Sequence, residues 1–127
     1  MKLQADRIEG QNAISRHGVE GVVVNGIEHR QSVLVPWQGP VVPWGVAGFA
    51  SLTVASFEAV SALQPEVVVF GSGERLRFPK PALLQTLMKR RIGLETMDTP
   101  AACRTYNVLL AEGRSVVAAL LFDASRT

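Results

Sequence analysis

Apolar and polar positions change rhythm along this chain, and the changes mark its elements. From 12 to 34 the pattern is β-like. "VEGVVVNGIEHRQSVLV" holds short runs rich in Val and Ile, broken by Asn25-Gly26. Both residues of that pair tolerate positive φ, which makes it a hairpin turn signal. The dipeptide Pro36-Trp37 recurs as Pro43-Trp44. That spacing is far too short for a repeat module, so the echo reads as two strand ends around the turn Gln38-Gly39-Pro40.

The next segment has helical spacing, with Thr53 as N-cap, Phe57 and Val60 as the buried stripe and Pro65 as the stop. "EVVVF" at 66–70 is a continuous apolar run, the pattern of a strand covered on both faces. A second helix is expected over 81–91, with Pro81 in its first turn, Leu83, Leu84, Leu87 and Met88 on its apolar face, and Gly93 at its exit. "GLETM" reads as a strand. A third helix follows, capped by Thr99 with Pro100 behind it, and its core stripe is Ala102, Cys103, Tyr106, Leu109 and Leu110. "SVVAALLF" at 115–122 is the last buried strand.

The second half is therefore β-α-β-α-β, which lays helices against parallel strands. The fold class expected is α/β: one domain over 12–127, a central mixed β-sheet flanked by helices, and an N-terminal β-hairpin extension. Residues 1–11 are polar and read as a loose lead-in.

Composition narrows the function classes. The 127 residues, 47% hydrophobic and 19% charged, suit one globular domain with a full core. No apolar run is long enough to span a membrane, and the start lacks the look of a signal or transit peptide, so the expected location is cytoplasmic. One Cys and two His cannot build a cysteine-rich zinc site. The net charge of +2 is a weak excess. Its one dense run, Lys89-Arg90-Arg91, suits the negative end of a helix dipole better than a nucleic-acid surface, and no aromatic-basic interleaving is present to stack on bases.

Candidate chemistry gathers where two strands end. In an open α/β sheet, ligands bind beyond the C-terminal ends of parallel strands. Phe70 gives way to Gly71-Ser72-Gly73-Glu74-Arg75, and Met97 gives way to Asp98-Thr99. If the two strands are neighbours, these loops share an edge with the N-terminus of the third helix, where free backbone N–H groups favour an anion. As a phosphate loop Gly71-Ser72-Gly73 is weak: Leu76 stands where a third glycine would, and no Gly-Lys-Ser/Thr follows. A tight turn is the better reading.

Asp98 suits the positive end of the helix as a cap. It could also pair with Arg75 or Arg104, or act as a general base. Cys103 lies one turn in and on the core stripe, which favours an inert buried thiol over a nucleophile. Tyr106 shares that stripe. Asn107 sits at its edge, where its amide can bond loop backbone. Arg104 falls off the stripe, on a surface with Ala101, Val108 and Ala111 that is not very polar. No Ser-His-Asp order, nucleophile elbow, metal-ligand spacing or paired-carboxylate motif can be read. No catalytic residue, metal or cofactor is assigned.

The motifs Pro65-Glu66, Gly71-Ser72-Gly73, Phe78-Pro79, Gly93-Leu94-Glu95, Met97-Asp98-Thr99, the block Ala102-Cys103-Arg104-Thr105-Tyr106-Asn107 and Glu112-Gly113 stand in this order. In that arrangement the chain resembles the domain of unknown function 498 family, from about residue 14 to 122. The Pro36-Trp37 dipeptide departs from the polar turn expected there. The family includes a mitochondrial complex I assembly factor, and the absence of a transit-like leader points to a bacterial-type member. The resemblance implies a mixed sheet flanked by helices and an accessory, protein-binding role, with no cofactor or reaction. The alternative is a small-anion site or enzyme at the strand ends, built on Gly71, Ser72, Gly73, Arg75, Asp98 and Arg104, with Cys103 or Tyr106 as the reactive group.

Overall fold

The computed structural model describes residues 10–122. The lead-in expected over 1–11 therefore lies outside the described residues, except for its last two positions. Of these, Gln11 bridges Gln38.

A five-stranded sheet carries the fold. Its order is β5 (Val42–Pro43), β4 (Val33–Pro36), β8 (Val116–Leu120), β6 (Val67–Gly71) and β7 (Gly93–Met97). The last three strands run parallel, β4 is antiparallel to β8, and β5 is antiparallel to β4, so the sheet is mixed. The N-terminal extension is larger than a hairpin. It is a three-stranded antiparallel sheet of β1 (Ile14–His17), β2 (Val22–Val24) and β3 (Ile27–His29). Asn25 and Gly26 turn it, at φ 52° and 84°, between the paired Val24 and Ile27.

The pleat explains why β6 and β8 read as continuous apolar runs. Alternate side chains enter two cores. Val67, Val69, Val116, Ala118 and Leu120 pack under α3 (Thr99–Ala111) and the small sheet, through Ala102, Cys103, Tyr106 and Leu110 and through Ile14, Val22 and Val24. Val68, Phe70, Val117 and Ala119 face the other way, onto Phe57 and Val60 of α1 (Val54–Ser61), Leu87 of α2 (Gln85–Lys89), and Trp44. Burying each large side chain contributes roughly 1.5–3 kcal/mol. The chain moves outward from β6 to β7 through α2, and back from β7 to β8 through α3. Right-handed crossovers in opposite directions must use opposite faces, which is the arrangement found.

Helix ends hold most of the differences from expectation. Thr53 caps α1 as expected, in a capping box with Ser56. The helix expected over 81–91 is a 3₁₀ turn, Pro81–Leu84, followed by the short α2. Its exit is Arg91 at φ 57°, not Gly93. The Ile92 N–H bonds the Leu87 carbonyl and the Arg91 N–H that of Met88, a Schellman closure formed without glycine. Gly93 instead opens β7, its N–H on the Glu66 carbonyl. Met88, expected on the apolar face, is 65% exposed, because the change from 3₁₀ to α winding rotates it off the stripe. α3, by contrast, does close on a glycine, at the Glu112-Gly113 motif. Gly113 sits at φ 82°, and the Arg114 N–H reaches the Leu109 carbonyl.

The Glu66 carboxylate ties the starts of β6 and β8 together. It accepts from the Ser115 N–H at 2.8 Å and from Arg114 Nε at 3.0 Å, contacts that hold its pKa below the usual range. Among the described residues no helix is long and apolar enough to cross a membrane.

Candidate functional site

β6 and β7 are neighbours in register, so their ends do share an edge, and the Ser72 N–H bonds the Met97 carbonyl there. What meets at this edge is a set of closed bonds. Asp98, not Thr99, is the N-cap of α3, its Oδ1 accepting from the Ala101 N–H at 2.9 Å. Pro100 follows Thr99 inside the first turn. The reason lies across the strands. The Thr99 hydroxyl accepts from the Gly73 N–H at 2.9 Å and donates to the Leu121 carbonyl at 3.0 Å. The Thr99 N–H bonds the Gly73 carbonyl. A hydroxyl occupied in joining β6 to the end of β8 is unavailable as a cap, and the neighbouring carboxylate takes that place.

The Gly71-Ser72-Gly73 loop is held from within. The Ser72 hydroxyl donates to the Arg75 carbonyl at 2.7 Å, with the Met97 carbonyl a second acceptor at 3.2 Å, and accepts from the Arg77 N–H at 2.9 Å. Arg77, which the sequence reading passed over, donates Nη2 to the Ser72 carbonyl at 2.7 Å and lies 4.7 Å over the ring of Phe49. Arg75, the expected candidate, is exposed. The two arginines stand two positions apart in an extended loop, and no local pattern tells which one turns inward.

Between Gly73, Thr99, Pro100, Leu121, Phe122 and the Gly18-Val19 turn remains a cavity of about 10 Å³. That admits no more than a water molecule. Wider surface depressions of about 330, 370 and 320 Å³ lie along the small sheet and around Ser32. None of the nine candidate residues except Gly73 lines any of these four spaces.

The remaining candidates form a seam between α3 and the N-terminal segment. Tyr106 is fully buried, and its hydroxyl donates to the Asn12 carbonyl at 2.6 Å, with the Pro36 carbonyl a second acceptor at 3.0 Å. Burial raises its pKa well above the usual tyrosine range. Asn107 pairs both backbone groups of Ile14, accepting its N–H at 3.1 Å and donating to its carbonyl at 2.7 Å. The side-chain amide thus satisfies β1 much as a neighbouring strand would.

Two asparagines complete the seam: Asn12, which the sequence reading passed over, and Asn25, which it read only as a turn residue. Asn12 donates to the Pro36 and Gly39 carbonyls, and its Oδ1 accepts from the Asn25 amide at 2.8 Å. Asn25 was legible as a turn residue. Its side chain also accepts the Ala13 N–H at 2.9 Å.

Cys103 is sealed in the core. Burial pushes its thiol up to about 12, against a smaller opposing pull from Arg104. At neutral pH that favours the protonated thiol. The sequence places no histidine near Cys103 on its helix and leaves His17 and His29 as bases that could fold close; His17 is exposed at the end of β1 and His29 is half-buried at the end of β3. Arg104 is exposed, as are Val108 and Ala111, so the outer face of α3 does carry apolar surface around one cation. Neither expected partner reaches Asp98: among the described residues it makes no ion pair with Arg75 or Arg104. Groups of three or more His, Cys, Asp or Glu that could hold a metal are absent among the described residues.

The sequence profile of a protein family of unknown function, DUF498/DUF598, matches residues 14–121. The chain belongs to the DUF498 family. A curated relative in Bos taurus, NADH dehydrogenase [ubiquinone] 1 alpha subcomplex assembly factor 3, is 38% identical over 111 residues, covering 85% of this chain and 59% of that protein. The chain thus spans less than two thirds of that relative's length. The crystal structure of a Bordetella parapertussis protein is 36% identical, with a TM-score of 0.85 over 92% of this chain and all of that one. The solution structure of a Bordetella pertussis protein described as an Mth938-like domain is 31% identical, with a TM-score of 0.83 over 97% of this chain and 93% of that one. The DUF498 domain is therefore the mixed α/β fold described above.

Proposed function

We propose that this DUF498 domain is a non-enzymatic module that binds a protein partner, in the manner of an assembly factor, in the cytoplasm. The observation that carries the reading is the direction of the polar groups between Asp98 and Asn107. Asp98, Thr99, Tyr106 and Asn107 all spend their side chains on this chain's own backbone. Cys103 is enclosed. What α3 offers outward is Arg104 with Val108, the latter 56% exposed, a composition suited to covering by another protein rather than to turnover. The bovine relative's description as an assembly factor supports the same reading.

Affinity capture of the tagged full chain, followed by reconstitution of the purified pair, tests it. A single partner should recur across replicates and form a complex of defined mass. Arg104→Ala should weaken that complex while leaving the thermal midpoint within about 2 °C, because an exposed side chain without structural bonds contributes little to stability. Absence of any reproducible partner, or turnover of a small molecule that survives Arg104→Ala, would count against the proposal.

A further inference from the structure

The largest exposed apolar side chain among the described residues is Phe78, 69% exposed, on the loop that leaves the end of β6. Leu76, two positions earlier, is 50% exposed. An exposed phenylalanine on a mobile loop could fold back onto the core. This one is prevented from doing so by both neighbours. Arg77 is anchored by its N–H on the Ser72 hydroxyl, its guanidinium on the Ser72 carbonyl and its stack on Phe49. Pro79 is buried, and a proline fixes its own φ while restricting the residue before it to extended backbone. Ser72 also grips the Arg75 carbonyl at 2.7 Å. The loop therefore pre-organises Phe78 and Leu76 toward solvent, which removes most of the ordering cost of using them in a contact. Exposed Arg75 and Lys80 flank the two apolar residues with no carboxylate between them, exposed Glu74 lying outside the pair, before Arg75.

We propose that this loop, 75–80, is the anchor by which the domain holds its protein partner. Phe78 enters an apolar pocket on the partner, and carboxylates on the pocket rim face Arg75 and Lys80. The inference rests on the protein-binding reading above and names its surface. Charge complementarity selects the occupant. A second copy meeting this one loop to loop would set Arg75 and Lys80 against their own kind. A bilayer offers no pocket, and one Phe with one Leu buries less apolar surface than a myristoyl chain, which alone anchors only marginally. A phenylalanine ringed by polar groups matches the aromatic-enriched core and polar rim of a protein interface.

The test places a photo-crosslinking phenylalanine analogue at position 78 of the full chain, and at Val54 on α1 as a control, in the native host. Crosslinking from 78 and not from 54 should join one protein, at a segment holding Asp or Glu beside apolar residues. With that protein purified, Phe78→Ser should weaken binding roughly 30-fold. The double variant Arg75→Glu with Lys80→Glu should weaken it too and reverse its salt dependence, added salt now strengthening the complex. Phe78 is exposed, so both variants should keep the wild-type thermal midpoint.

If the captured partner crosslinks from 54 but not 78, and Phe78→Ser binds unchanged, the anchor is wrong while the protein-binding reading stands. If no protein crosslinks or co-purifies, both fall. Both also fall if the wild type, but not Phe78→Ser, sediments with phosphatidylglycerol vesicles and holds no protein.

Discussion

Tyr106→Ala is expected to lower the unfolding free energy by roughly 4–5 kcal/mol, a large share of the about 5–15 kcal/mol that holds a domain folded. The side chain is fully buried at the centre of the core shared by the main sheet, α3 and the small sheet. Its removal leaves a cavity that rigid β-strands on two sides cannot close. It also strips the Asn12 carbonyl of its 2.6 Å donor. Tyr106→Phe separates the two effects. It keeps the volume and loses only the hydroxyl, and should cost roughly 1–2 kcal/mol. Denaturant unfolding of the three proteins measures both steps. A Tyr106→Ala protein within about 1 kcal/mol of wild type would mean that the seam does not hold the fold.

Gly71→Ala should cost roughly 3 kcal/mol, the upper end of the overpacking range. Gly71 ends β6 directly beneath the first turn of α3. A Cβ there would lie 2.9 Å from both Cα and Oγ1 of Thr99, and 3.1 Å from the Cβ of Ala102. The conflict is one of approach, since Gly71 does not have a positive φ. The close neighbour is backbone, so no rotamer change relieves it. The helix start must move, and with it the Thr99 hydroxyl that links Gly73 to Leu121. Adding Ala102→Gly would clear the contact with residue 102 but not the one with Thr99. The double variant should therefore recover only part of the loss. Unfolding midpoints of the single and double variants give the comparison, and a neutral Gly71→Ala would show that α3 is free to shift.

Much of this architecture was readable because it is written in local periodicity. The run at 66–70 announced a strand covered on both faces, Asn25-Gly26 announced its turn, and Thr53 announced a helix start. The strand ends at Phe70 and Met97 were legible as an edge as soon as their strands were neighbours. What escaped was decided by partners distant in sequence. Asn107 reaches Ile14, 93 residues away, and Tyr106 reaches Asn12, 94 residues away. No spacing within α3 records either contact. Thr99 and Asp98 are equally good caps by residue type, and only the Gly73 N–H and the Leu121 carbonyl, both remote in sequence, draw the Thr99 hydroxyl away. Arg91 closes a helix in a conformation that favours glycine, because Gly93 is already committed to β7. Arg75 and Arg77 differ only in which one points to Ser72.

On the function proposed above, the dense polar block on α3 closes the fold instead of reacting. Thiol labelling of Cys103 in the native protein at neutral pH measures this directly, using an aromatic disulfide reagent in excess across a denaturant series. Cys103 has no exposed surface. The labelling rate should therefore follow global unfolding and rise with denaturant at the slope of the equilibrium transition. Labelling in native buffer at the rate of a free exposed thiol, independent of denaturant, would contradict it.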